Sequence, residues 1–328
     1  MNKVDLLRAF NVNIDLAVEA HELLRGEAQA EIPGVSMEEE QLEHATVTTI
    51  KILNEQGVQE MGRPIGTYIT IDVPEVHTNN YLIHREITKT LADKLTELMS
   101  LPEDASILLV GLGNWNATPD ALGPQVIEKS LVTRHLFNYT PEELRGKLRR
   151  VSAIAPGVLG ITGIETAEII RGIVEHVKPD LVIAIDALAA GSLERIGTSI
   201  QISDTGIAPG GGVGNRRAAI NQETLGCRVI AIGLPTVMNA AIIANNCLEA
   251  LLNELKTSPS LYQLYKEFNP KAFEQILEKA LYPYTNNLMV TPKEIDSLIE
   301  TTARIIAGAL GMSLHPGISA EEYQMYMQ

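Results

Sequence analysis

Ser106-Ile-Leu-Leu-Val-Gly-Leu-Gly-Asn114 decides how this chain folds. An unbroken apolar run reads as a strand covered on both faces, and the glycines after it let the chain turn sharply off its end. A second run, Leu181-Val-Ile-Ala-Ile-Asp186, repeats the pattern and ends on a carboxylate. Such strands belong to parallel sheets, whose loops converge on a crevice at the carboxyl ends where strand order switches. Asp120, in the turn after the first run, and Asp186, at the end of the second, both fall at that crevice. Two carboxylates meeting there can divide acid and base roles, so a hydrolase is the leading reading of the residues, ahead of a nucleotide binder.

Outward from this pair, the apolar period changes regularly. Residues 45–52 and 66–72 alternate at period two, which predicts an edge hairpin or small subsheet. Leu82, Ile87, Leu91 and Leu95 share one side of a helix from Asn80 to about Met99. After the strand at 106–112 come a helix near 123–131, a strand near 151–155, a helix near 163–177 and the strand 181–186. Strands at 198–203 and 227–233 continue the sheet, and helices follow at 237–254 and at 291–310, the latter with Pro292 in its first turn. Alternating elements of this kind predict an α/β fold, a mostly parallel sheet flanked by helices in a phosphorylase/hydrolase-like arrangement. No repeat or linker divides the core.

The bulk composition excludes several classes. At 328 residues and 45% hydrophobic the chain can bury a large core. A net charge of −15 repels the phosphate backbone of nucleic acid, and Arg149-Arg150 and Arg216-Arg217 are isolated basic pairs. No apolar run is long enough for a signal peptide or membrane span, which points to a cytoplasmic protein. Cys227 and Cys247 show no Cys-x-x-Cys pattern and read as small buried hydrophobes of a reducing compartment.

The remaining motifs are weak. Gly111-Leu-Gly-Asn114 starts like a dinucleotide fingerprint, but Asn116 stands where the third glycine is needed. Ala208-Pro-Gly-Gly-Gly-Val-Gly-Asn215 lacks the Lys-Ser/Thr ending of a P-loop and reads as a rim or substrate-contacting loop. Asp204-Thr-Gly206 spells an aspartic-protease tripeptide, yet occurs once and in an α/β pattern, so Asp204 is assigned to turn ordering. The seven histidines form no metal-binding pair, no cofactor is implied, and Ser152 and Ser192 lack a nucleophile elbow. Asp120 has a bland alternative as a helix cap. Asp186, directly after apolar residues, must be partly desolvated or face a crevice. A metal-dependent hydrolase built on the same carboxylates, and a non-enzymatic Rossmann-like module holding an anion at the 111–114 turn, stay open.

Thr118-Pro-Asp-Ala-Leu-Gly-Pro124, Thr133-Arg-His-Leu-Phe137, Val151-Ser-Ala-Ile-Ala-Pro-Gly157, Thr162-Gly-Ile-Glu-Thr166, Ile183-Ala-Ile-Asp-Ala-Leu-Ala-Ala190, Ile200-Gln-Ile-Ser-Asp204 and Leu288-Met-Val-Thr-Pro-Lys-Glu294 closely resemble the germination proteases of bacterial spores. The resemblance runs from about Asp15 to Leu310 and is densest between 106 and 236. It implies a fold related to hydrogenase-maturation endopeptidases and an endopeptidase of the spore core that degrades small acid-soluble spore proteins. It also implies a homotetramer with no cofactor, and catalytic aspartates at Asp120 and Asp186. It implies a zymogen as well, with residues 1–15 a propeptide and 16–328 one protease domain. The matching segment Asn13-Ile-Asp15-Leu16-Ala17 places self-cleavage between Asp15 and Leu16, similar to the Glu-Phe/Ile-Ala sequence cut in the substrates. Asn114 and the backbone N–H groups of the turn ending at Gly113 are the candidate oxyanion and substrate donors.

Overall fold

The computed structural model describes residues 14–26, 31–78, 80–139, 141, 148–208, 210, 218–257, 269–281 and 288–318. Its strands are β1 (Val35–Gln41), β2 (Thr46–Ile52), β3 (Gly66–Asp72), β4 (Ser106–Gly111), β5 (Arg150–Ile154), β6 (Leu181–Ala190), β7 (Ser199–Ser203), β8 (Arg228–Asn239) and β9 (Met289–Val290). They form one sheet in the order β1-β2-β3-β7-β8-β6-β4-β5, with β9 added to β8. Parallel pairing joins β5, β4, β6 and β8. The antiparallel β7 then turns the direction and joins β8 to the β1–β3 meander. The α/β expectation holds, and the small element foreseen near 45–72 is continuous with the main sheet.

Both faces of the parallel strands are covered, which is why they read as unbroken apolar runs. Strand alternation sends Ile107, Leu109, Ile183, Ile185, Ile230 and Ile232 to one face. There they meet Ile87, Leu91 and Leu95 of α3 (Tyr81–Met99) and Ile299, Ile306 and Leu310 of α10 (Ile295–Leu314). Leu108, Val110, Val182 and Ala184 face the other way, onto Ile170 and Val174 of α6 (Thr166–Val177). Further along that second face, Ile50, Ile52, Tyr68 and Leu188 receive Leu16, Ala17 and Val18 at the start of α1 (Ala17–Arg25).

Three differences from the sequence expectation have a tertiary reason. β8 runs on to Asn239 because it keeps pairing with β6 as far as Ala190, so the following helix α8 (Ala240–Thr257) starts later. Met289 and Val290 pair with the end of β8, which leaves Pro292 outside α10. β1, Val-Ser-Met-Glu-Glu-Glu-Gln, was invisible to an apolar-period search because it is a charged edge strand. α2 (Glu55–Met61) separates β2 from β3. Cys247 is exposed on α8 and not the buried hydrophobe expected; Cys227 is half-buried. No described helix is long and apolar enough to cross a membrane.

Candidate active site

Asp120 is held by the backbone that leaves β4. The Leu112 N–H donates to the Ile185 carbonyl at 2.8 Å, carrying the chain past the sheet edge beside β6. Gly113 follows with φ +110°, and a Cβ there would stand 1.9 Å from the Asp120 carbonyl oxygen. The Asn114 N–H donates to the same oxygen at 2.9 Å, closing a loop over the single 3-10 turn Thr118–Asp120. Ala121, not Asp120, is the N-cap of α4 (Leu122–Glu128), and it makes no side-chain capping bond. Asp120 thus ends the 3-10 turn and stands just before the N-cap of α4.

A third element fixes this turn from the far side. β6 and β8 slip register between Leu188 and Ala189, which leaves Thr236 as the extra residue of a bulge. Bulges re-aim side chains. Here the buried Thr236 hydroxyl donates to the Pro119 carbonyl at 2.6 Å.

Asp186 sits on β6 with 6% exposure, and its Oδ1 accepts the Ala187 N–H at 2.9 Å. Its register partner on β8 is Gly233, whose partner on β7 is Gln201, whose partner on β3 is Thr70. At Gly233 a Cβ would stand 2.5 Å from the Leu188 side chain, so glycine makes room there. Alternation places Asp186 on the face between the α6 and α1 packing areas. A cleft of about 1040 Å³ opens at that point, lined among others by Gly113, Asp120, Asp186, Asp15 and Gln201. Ala208 and Gly210 also line it; residues 211–217 of the glycine-rich run lie outside the described residues.

The N-terminal segment enters this cleft. The Asp15 carboxylate accepts the Ala189 N–H at 2.8 Å, and its carbonyl accepts the Gln201 carboxamide at 3.3 Å. The Gln201 side-chain oxygen accepts the Ala17 N–H at 2.6 Å. Arg63 donates to the Ile14 carbonyl at 2.6 Å. Burial raises the Asp15 pKa above its ordinary value, with the Ala189 N–H and the Arg63 charge working against that rise. Burial lowers the Arg63 pKa, opposed by Asp15, Tyr68 and Glu19. Leu16 and Ala17 are fully buried. α1 is then pinned by Arg195, which forks onto Glu22 at 2.7 Å twice and lies 3.9 Å from Glu19. Glu19 accepts the Gly191 N–H at 2.8 Å.

The cleft thus gathers Gly113, Asp120, Asp186 and Asp15. Asn114 is not among the lining residues; its Oδ1 accepts the Asn116 N–H at 3.0 Å and so shapes the turn beneath Asp120. Leu16 packs in the core beside the cleft. Asp204 accepts the Thr67 N–H at 2.8 Å, a cross-strand tie between β7 and β3. Gln201, Arg63 and Thr236 escaped the sequence reading, although Pro235 inside an apolar strand was a signal for the bulge. Asp120 and Asp186 gather no third His, Cys, Asp or Glu into a metal-sized cluster among the described residues; Glu43, His44 and Glu86 form the one such group, on the surface.

An α/β sheet that delivers two carboxylates to a cleft already holding a length of its own chain has the layout of a peptidase. The sequence matches the germination protease family over residues 15–263 and 256–327, and the chain belongs to that family. The germination protease of Caldanaerobacter subterraneus subsp. tengcongensis is 48% identical over 97% of this chain and 98% of that protein. That of Clostridium perfringens is 47% identical, covering 97% of this chain and 99% of the relative. That of Bacillus mycoides is 41% identical, with 98% of each covered. A NiFe hydrogenase maturation protease from Thermococcus kodakarensis KOD1 is similar at 22% identity over 49% of this chain and 97% of that one, with a TM-score of 0.30, a level from which nothing about this chain follows.

Proposed function

We propose that this germination protease is an aspartic-type endopeptidase whose catalytic pair is Asp120 and Asp186. In this reading the chain is made as a zymogen that cuts itself between Asp15 and Leu16, so that residues 1–15 are the propeptide and 16–328 the protease domain. The observation that carries the reading is that Asp15 lines the same cleft as both aspartates. One carboxylate, ionised, takes a proton from water as the water oxygen bonds to the carbonyl carbon. The C–N bond then breaks, and the protonated carboxyl supplies the proton to the leaving amine. Two close carboxylates share one proton because both ionise only at high cost, and their titration belongs to the pair. Of the donors expected at this turn, the Leu112 and Asn114 N–H groups are taken by the Ile185 and Asp120 carbonyls, so the oxyanion role falls to the Gly113 N–H, with Asn114 holding the turn. The substrates are small acid-soluble spore proteins, the site of action is the spore core, and the working assembly is a homotetramer.

A mass-spectrometric time course of the full chain at mildly acidic pH tests this, comparing wild type with Asp120→Asn and Asp186→Asn. Each variant is expected to lose self-cleavage by at least about a thousandfold while keeping its unfolding midpoint. A chelator arm separates the metal-dependent alternative, since loss of wild-type cleavage in chelator would favour it. Unimpaired cleavage by Asp186→Asn would sink the pair.

A further inference from the structure

The cleft meets the chain from Ile14 to Ala17 at four polar groups, while the Leu16 carbonyl turns inward to accept the Ala20 N–H of α1 at 3.2 Å. The Asp15 carboxylate receives the Ala189 N–H, the Asp15 carbonyl and the Ala17 N–H are both taken by the Gln201 carboxamide, and the Ile14 carbonyl is taken by Arg63. Arg63 is the cation whose charge acts on the Asp15 carboxylate. It is fixed in place by stacking 5.9 Å over the Tyr68 ring, whose hydroxyl donates to the Pro64 carbonyl at 3.0 Å. A carboxamide that donates to the carbonyl on one side of a peptide bond and accepts the N–H one residue beyond it grips the main chain whatever the side chains are. A cation beside a backbone donor does not: it selects a carboxylate.

We infer that Arg63 and the Ala189 N–H form a specificity subsite for an acidic side chain on the residue preceding the cut bond, and that Gln201 is the positioning residue that clamps the main chain across that bond. The inference rests on the reading that self-cleavage falls between Asp15 and Leu16. Asp15 occupies the subsite in this chain, and an acidic residue of a substrate takes its place once the propeptide leaves. Ala189 belongs to the strand that carries Asp186, and Gln201 is in register with Asp186 across Gly233, so subsite and clamp are built on the same rigid sheet as the proposed chemistry. The bland alternative is that Gln201 merely caps the first N–H of α1 and that Arg63 merely anchors the segment. That alternative predicts no effect on the choice between substrates.

The test uses two peptides that differ only in Asp against Asn before the cut bond, supplied to chain that has been allowed to complete self-cleavage, together with the self-cleavage rate of the full chain. Wild type is expected to prefer the acidic peptide by about 30-fold or more in kcat/KM. Arg63→Met is expected to bring that ratio within about threefold of one by losing rate on the acidic peptide alone. Asp15→Asn should slow self-cleavage by a similar factor, and the two substitutions together should be no slower than either alone, since both remove one interaction. An unaltered acid preference in Arg63→Met, or additive effects in the pair, overturns the subsite. Should Arg63→Met not fold, Asp15→Asn in the otherwise wild-type chain decides, because unchanged self-cleavage refutes any selection for the carboxylate. Gln201→Leu is expected to lower kcat on both peptides equally and leave their ratio alone; a changed ratio would refute a side-chain-independent clamp. Failure of the aspartate pair shows separately, as cleavage persisting in Asp120→Asn or Asp186→Asn.

Discussion

Replacing Gly113 by alanine tests whether the turn off β4 holds Asp120 in place. The added Cβ would stand 1.9 Å from the Asp120 carbonyl oxygen, where contacts under 3.0 Å essentially never occur, so the two must separate by more than an ångström. The residue also carries φ +110°, which costs a side chain on the order of 1–2 kcal/mol. Separation breaks the 2.9 Å bond from the Asn114 N–H to the same oxygen, and so loosens the loop that presents Asp120. Misplacement of a catalytic group by about 1 Å costs on the order of a hundredfold in rate, or about 2.7 kcal/mol of barrier. Gly113→Ala is therefore expected to lose about two orders of magnitude in self-cleavage while giving up only about 1–3 kcal/mol of stability. Quantitative mass spectrometry of the Met1–Asp15 fragment gives the first number and urea unfolding the second. A variant that cleaves within threefold of wild type would refute both the mechanical role of Gly113 and the need for Asp120 at that position.

Two further outcomes follow from the same geometry. Thr236→Val orphans the Pro119 carbonyl and is expected to cost about 1–2 kcal/mol in urea unfolding and about tenfold in rate, with Thr236→Ser recovering most of both; equal losses in the two variants would argue against the hydrogen bond. His315, 1% exposed, has its pKa pushed down to about 4 by burial and by the Arg149 charge, against the opposing bond to the Leu131 carbonyl. Its Nδ1 accepts the Arg149 N–H, so a proton there would set two donors face to face. Because the folded state keeps the ring neutral, stability is full above about pH 6.5 and is lost as pH falls toward 4, by up to about 3 kcal/mol. Urea midpoints in the Asp120→Asn background, with and without His315→Gln, should differ in slope across that window; identical slopes would rule out the histidine as the cause.

The elements legible in the sequence were those whose burial is two-sided. β4, β6 and β8 announced themselves as apolar runs because helices cover both faces, and Asp120 and Asp186 stood out as the carboxylates after such runs. β1 was illegible for the opposite reason: an edge strand of Glu38, Glu39 and Glu40 carries its charges as protection against pairing and leaves no apolar period. Arg149 read as half of an isolated basic pair. It is 8% exposed, and its guanidinium donates to the carbonyls of Leu101, Pro102, Ser313 and Leu314, which ties the end of α10 to the loop before β4. Nothing local distinguishes a cation with that role from one facing water.

Arg63 and Gln201 fail to show in the sequence for a related but stronger reason. Gln201 stands between Ser199 and Ser203 as one of three polar members of an ordinary alternating strand, and Arg63 follows a glycine in a turn. Their partners lie 186 and 49 residues away, and the Ala189 N–H that completes the set around Asp15 is a backbone group 174 residues distant. What the sequence does carry is the segment they receive, Ile14-Asp15-Leu16-Ala17, with one acid between apolar residues. A cleft that recognises its own chain must present the complement of that segment, so a carboxylate at Asp15 calls for a cation and a donor opposite it.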